Sequence, residues 1–352
     1  MVTSSYDFEL VYFQADGQAL GSLRLAVDWD PVVEWVAFSG QRAGKLPAAD
    51  VCLASVIEPL WHATKGAPYV SAVRVAVSSG SAQYANELQL DYFSGAAQAQ
   101  AAAFIERGRL KEGQYFLYGV LAHPTAEDGS RKLARAPLCI VEEEPYSLTL
   151  VSSRLPDWEK CGRYCGPRSM REYPVYLPSR VLREVTEVAR AAGCNEAGGI
   201  LLGRLHVDPG VPEIFAEVTA QIEAHAHAEL TQLAFTAATW QDLEQAVKLR
   251  QRPEESCVGW WHSHSFLKKT CVACPQLKAG SCKASAAFFS LQDMEVQRAC
   301  FPKAYSVALV VAESPAAGLN FSLFGWQQGR IAARGYYEFE NTPQLQTVAR
   351  LA

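Results

Sequence analysis

What the chain lacks narrows the reading before any motif is considered. No uninterrupted apolar run approaches the roughly 20 residues of a membrane-spanning helix, so neither a helical anchor nor a membrane partner is expected. The start, Met-Val-Thr-Ser-Ser-Tyr-Asp-Phe-Glu-Leu, has no basic segment followed by an apolar one. A secretory leader is therefore not expected, and the expected location is cytoplasmic. Excess positive charge is missing too: 32 Lys and Arg face 37 Asp and Glu, a formal net charge of -5, which gives no overall attraction for nucleic acid. Repeats at solenoid periods are absent, as is any periodic segment long enough to argue for a coiled-coil partner. Hydrophobic residues at 49% and charged residues at 20% exclude disordered, collagen-like and small disulfide-scaffold chains.

What is present is a globular chain of 352 residues, enough for about two domains. Residues 1–150 read as a strand-rich α+β domain, with strands over 8–14, 20–29, 69–77, 87–93, 114–121 and 138–142 and a helix-prone Ala/Gln stretch over 96–107. Asp16-Gly17 supplies a hairpin turn between the first two strands. The domain carries no catalytic constellation. His62 and His123 stand alone and read as ordinary surface or core histidines.

Residues 151–170 lose periodicity and fill with Pro, Gly, Ser and charge, as a linker does. The second domain, 171–352, opens with a helix from Ser179 whose apolar positions Val181, Leu182, Val185, Val188, Ala189 and Ala192 share one face, stopped by Gly193. Strands are expected over 199–207 and 214–220. A helix is expected from Thr239, with Asp242 completing a capping pattern, to before Pro253. A strand over 257–261 runs into His262-Ser263-His264. Ser290 opens a further helix, 304–312 reads as a buried strand, and 320–326 with 331–339 reads as a hairpin.

His262 and His264 sit two apart at a strand end, so both imidazoles face the same side and can converge on one ion. A catalytic zinc takes three protein ligands and keeps one position open, and Asp293, one turn into the Ser290 helix, is a suitable third ligand. A carboxylate that does not bind the metal but moves a proton completes such a site. Glu196, just before the apolar strand Gly198-Gly199-Ile200-Leu201-Leu202-Gly203, is placed to supply it. Ser290-Leu291-Gln292-Asp293 is also a helix capping box, and each fragment alone has that simpler meaning. Trp260 and Trp261 read as core or groove-wall residues.

With these residues together the chain resembles the JAMM (MPN+) metalloprotease family, whose signature is a distal Glu, then His-x-His, a spacer and Ser-x-x-Asp. The matching segments are Glu196 in Asn-Glu-Ala-Gly-Gly-Ile-Leu-Leu-Gly, His262-Ser263-His264 in Val-Gly-Trp-Trp-His-Ser-His, and Ser290 to Asp293. The resemblance spans roughly 171–337 and implies a mixed β-sheet flanked by helices. It implies zinc held by His262, His264 and Asp293, with Glu196 as general base and acid and Ser290 hydrogen-bonding water or oxyanion. It further implies hydrolysis of the amide bond after the C-terminus of a ubiquitin-like protein, either deconjugation or precursor processing. Partners would be that protein, its conjugates and E1/E2-like pathway proteins, in a setting similar to bacterial conjugation systems, some linked to phage defence. Two other classes share the fold: a zinc hydrolase of small-molecule amides, and a non-catalytic MPN-like scaffold, in which the metal ligands are normally degraded. The first domain would recognise substrate or partner, or serve as structural support.

Two departures from the family stand out. Ser265 follows the second histidine where members commonly have Pro. The spacer, residues 265–289, is long, and its excess, the insertion 266–288, contains Cys271, Cys274 and Cys282. A Cys-x-x-Cys plus a third Cys in a short polar insertion suggests a second, structural zinc, with reduced or redox-paired thiols as the alternative. Candidates for its fourth ligand are Cys161, Cys165, Cys257 and Cys300. A second pair, His225 and His227, has no following Ser-x-x-Asp and reads as part of a loop beside the groove.

Overall fold

A computed structural model of the protein describes residues 2–4, 6–48, 53–62, 69–125, 148–169, 172–193, 195–224, 235–264, 288–314 and 318–343. The architecture is α+β and mostly strand. The chain divides into two compact units: Met1–Gln41, Lys45–Ser147 and Gln328–Arg330 form unit 1, while Arg42–Gly44, Leu148–Gln327 and Ile331–Ala352 form unit 2. No helix among the described residues is long and apolar enough to cross a membrane.

Unit 1 has two sheets among its described residues. In the first, β1 (Val2–Ser4) runs parallel to β4 (Ala54–His62), followed by antiparallel β5 (Tyr69–Ser79) and β6 (Ala82–Gln89). The second is antiparallel, with β2 (Tyr6–Gln14) between β3 (Ala19–Leu25) and β7 (Phe116–Pro124). Alternation along β2 buries Phe8, Leu10 and Tyr12, and along β5 it buries Val73, Val75 and Val77. Helices α1 (Asp30–Arg42) and α2 (Ser94–Glu106) complete it. The expected hairpin turn at Asp16-Gly17 is present, with Gly17 at φ 88°.

Two local expectations in this unit fail. The strand over 20–29 ends at Leu25; Asp28 then accepts the Asp30 N–H and Pro31 sits in the first turn of α1, which the sequence reading did not anticipate. The strand over 87–93 breaks after Gln89 into a 3-10 turn, Leu90–Phe93, which seats Phe93 against Phe8 and Trp29. Strand β4 was not foreseen either. Residues 138–142 lie outside the described residues.

Unit 2 is organised by a mixed sheet, ten-stranded among the described residues. Its order is β16 (Arg330–Arg334), β15 (Gly318–Gln327), β14 (Val307–Ser314), β13 (Ser256–Ser263), β11 (Gly198–Asp208), β12 (Glu213–Glu223), β10 (Val175–Pro178), β17 (Tyr336–Phe339) and β9 (Arg163–Cys165). The central strand β11 is shared lengthwise. Gly198–Gly203 pairs antiparallel with β13, and Leu205–Val207 pairs parallel with β8 (Leu150–Ser152). Among the described residues four helices pack on the sheet: α3 (Leu155–Cys161), α4 (Ser179–Ala192), α5 (Ala237–Arg250) and α6 (Leu291–Cys300). Trp240 and Leu243 of α5, Val296 of α6, Phe289 and Phe301 cover the sheet face formed by Ile200, Trp260, Ala308, Val310 and Phe324.

The segment expected as a linker, 151–170, carries β8, α3 and β9, all built into this sheet or onto it; Trp158 of α3 is buried against Tyr176, Phe215 and Phe339. Helix α5 begins a turn earlier than Thr239: Thr236 is its cap, and its side chain accepts the Thr239 N–H. The hairpin arm over 331–339 breaks at Gly335, where a Cβ would collide with the Tyr164 hydroxyl, so β17 leaves β16 and joins β10 instead.

Candidate metal centre

Strand β13 and helix α6 bring the candidate ligands together. His262 is paired with Gly198 of β11 on one side and Val310 of β14 on the other, so its backbone is fixed from both edges. Three residues earlier, Gly259 has no Cβ because one would collide with the Val307 carbonyl, which lets β13 and β14 close up beneath the site. His264 follows the strand end, held by its N–H donating to the Val311 carbonyl at 2.9 Å.

Asp293 is set by the N-terminus of α6. Ser290 Oγ accepts the Asp293 N–H at 3.1 Å, and Asp293 Oδ2 accepts the Ser290 N–H at 2.7 Å, a complete capping box. This leaves Oδ1 to face His262 Nε2 at 3.5 Å. A second rung ties the same helix to the same strand: Trp260 Nε1–H donates to Gln297 Oε1 at 2.6 Å, and Gln297 Nε2–H donates to the Phe301 and Ser306 carbonyls. Trp260 and His262 are two apart on the strand and stack at 4.8 Å, while Asp293 and Gln297 are four apart on the helix. The two periodicities align the rungs.

The ligand atoms of His262, His264 and Asp293 all lie within 4.8 Å of one another. Nitrogen and oxygen ligands at the usual zinc distances in a tetrahedron lie roughly 3.4 Å apart, so the His262 to Asp293 separation is already of that size. The chemistry of the surroundings fits a cation as well. His262 is 2% exposed, and neither of its buried ring nitrogens has a hydrogen-bond partner. Burial pushes its imidazole well below the ordinary range; Asp293 opposes that shift and His264 adds to it. The result is a neutral imidazole with free lone-pair capacity, the form that ligates metal. Phe289 and Trp260 line the His262 side, and Phe288, 43% exposed, lies 4.7 Å from the His264 ring.

Glu196 lies in the short stretch before β11. Its carboxyl is pushed up to about 7, first by burial and then by the negative charge of Asp293, and two residues on Gly198 pairs with His262. Ala197, its neighbour, is bonded to Ser263: the Ala197 N–H donates to Ser263 Oγ at 3.0 Å, and the Ser263 N–H donates to the Ala197 carbonyl at 2.7 Å. Sequence reasoning singled out neither Ser263 nor Gln297. The i+4 spacing of Gln297 from Asp293 was the signal available for the second.

Among the described residues no other candidate joins this group of ligands. Cys271, Cys274, Cys282, His225 and His227 lie outside the described residues. Cys161, Cys165, Cys257 and Cys300 are free thiols, and burial pushes Cys257 up to about 11. His62 lies beside Tyr69, and His123 pairs with Glu9 at 2.8 Å; both are exposed. Two surface clefts along the edge of α4 share Ser179, Glu338 and Glu340 and include none of the ligands.

No family model matches the chain, and no curated protein matches it. Among solved structures, a protein from Desulfitobacterium hafniense known in solution is similar at 18% identity over 47% of this chain and 94% of that chain, with a TM-score of 0.32, a likeness too distant to carry an argument.

Proposed function

We propose that the protein is a zinc-dependent (iso)peptidase of the JAMM type, with His262, His264 and Asp293 as metal ligands and Glu196 as the group that moves the proton. One observation carries the reading: three ligand atoms of suitable kind converge within 4.8 Å, and the most buried of the residues has both ring nitrogens without a hydrogen-bond partner. Zinc bound there supplies Lewis acidity toward an amide carbonyl and lowers the pKa of water.

The chain's own groups supply the rest. Ser290 N–H holds Oδ2 of Asp293, so Oδ1 is the oxygen presented beside His262. Glu196, near neutrality in its proton affinity, takes a proton from the attacking water and delivers it to the amine nitrogen as the C–O bond forms and the C–N bond breaks. Ser290 Oγ is already a helix cap as an acceptor, and its hydroxyl proton remains for donation to a substrate oxygen. Trp260, Phe288 and Phe289 pack against the histidines, both of which are buried.

The substrate in this reading is the C-terminal tail of a ubiquitin-like protein, cleaved from a conjugate or a precursor extension, with E1/E2-like proteins acting earlier in the pathway. Unit 1 serves recognition; among its described residues no group of three metal-ligating side chains occurs. The test is hydrolysis by the full-length, zinc-loaded protein of ubiquitin-like tails carrying a fluorogenic C-terminal amide, beside a panel of small acyl amides. Cleavage at the tail that disappears in Glu196→Gln supports the reading. Hydrolysis confined to small amides, or none by protein with zinc at the cluster, contradicts it.

A further inference from the structure

Ser263 stands between the two histidines, and alternation along β13 turns its side chain to the opposite face. It is fully buried. Its backbone N–H bond to the Ala197 carbonyl would survive replacement by alanine, but the reciprocal bond would not. The Ala197 N–H goes to the serine hydroxyl oxygen at 3.0 Å, where a regular ladder would use a main-chain carbonyl. Glu196, one residue earlier, lies in neither helix nor strand: α4 has ended at Ala192, Gly193 at φ 66° caps it, and β11 begins only at Gly198. The hydroxyl therefore fastens the short irregular stretch that carries the proton-moving carboxylate to the strand that carries the histidines.

We propose that Ser263 is a positioning residue, whose hydroxyl holds the Glu196–Ala197 backbone against β13 so that the Glu196 carboxyl stays beside the His262, His264 and Asp293 cluster. This rests on the zinc-hydrolase reading of the site. Replacing the hydroxyl with hydrogen leaves a buried N–H without an acceptor, and the stretch relaxes to find one. The ligands on the other face of β13 keep their own anchors, the Val310 pairing, the Val311 carbonyl and the α6 capping box. The variant thus separates metal binding, which persists, from carboxylate placement, where a displacement of about 1 Å costs on the order of 10²-fold in rate.

The test uses full-length wild type, Ser263→Ala, Glu196→Gln and the double variant, each loaded with cobalt(II), whose visible spectrum reports the field around the ion. Amide exchange at Ala197 is followed in the same samples. The expected result for Ser263→Ala is one cobalt bound with near wild-type affinity and an Ala197 amide that exchanges about tenfold faster, the size of one lost hydrogen bond. Its spectrum moves toward that of Glu196→Gln, and the double variant shows no further change. A role confined to general packing would weaken cobalt binding and shift the spectrum equally in both backgrounds, which overturns the proposal, as does a Ser263→Ala spectrum identical to wild type. If His262→Ala fails to remove cobalt from the wild type, the metal reading itself fails and takes the Ser263 proposal with it.

Discussion

His262 carries an unusual cost in the metal-free protein. A buried polar group without a partner costs about 1–3 kcal/mol, and both ring nitrogens of this residue are in that state. An apolar side chain of similar size removes the cost together with the ligand. The metal-free His262→Leu variant is therefore expected to unfold in urea at or above the midpoint of metal-free wild type, while the rise that zinc gives wild type disappears. A loss of more than about 1 kcal/mol in the metal-free variant would show that the fold satisfies the imidazole by itself. Glu196 is predicted to behave in the opposite way. Glu196→Gln should keep its zinc and lose on the order of 10²- to 10⁴-fold in amide hydrolysis, measured at saturating substrate. The three candidate ligands were legible in the sequence because each obeys a short-range rule: two histidines two apart at a strand end, a carboxylate at the third position of a capped helix. Ser263 was not, because its partner Ala197 is 66 residues away and only the β11–β13 register brings the two together.

The elements hold the site through the contact of α6 with β13. Gln297 is fully buried, and its amide satisfies the Trp260 indole N–H and two carbonyls at once. Gln297→Leu leaves the Trp260 indole N–H and the Ser306 carbonyl unpartnered, while the Phe301 carbonyl keeps the Trp326 indole N–H. The expected loss is on the order of 3 kcal/mol in urea unfolding, with weaker zinc binding than wild type because the turn bearing Asp293 is no longer pinned over His262. Unchanged zinc affinity in a destabilised variant would show that the capping box alone positions Asp293. Helix α4 and the cap at Ser290 could be read from the sequence, since amphipathic spacing and Ser-x-x-Asp are local signals. Helix α1 could not be read from periodicity because Val32 and the whole run from Trp35 to Phe38 are buried, which erases the polar stripe; Asp30-Pro31 was the remaining signal. The elements over 150–165 were hidden for another reason. Runs of three and seven residues are too short to show a period, and only their pairing with β11 and β17 makes them visible.

At the scale of the molecule, the proposed chemistry lies within one of two compact units, because all three ligands and Glu196 belong to unit 2. Ligand binding to the folded state stabilises by mass action, about 2.7 kcal/mol when free ligand is 100 times its dissociation constant. In calorimetry of the full-length protein, zinc at that excess should raise the transition of unit 2 and leave that of unit 1 in place. Equal movement of both transitions would contradict a site confined to unit 2. The folded character of the stretch after Leu148 was not legible in the sequence, since Pro, Gly and charge there mimic a linker while Trp158 buries itself in the sheet's aromatic cluster. The central claim remains the identity of the metal ligands. It is tested most directly by elemental analysis of zinc per chain in wild type and in the His262→Ala/His264→Ala double variant. The account predicts that the variant carries one zinc fewer per chain, whatever the cysteines of 266–288 also bind; an unchanged count would contradict it.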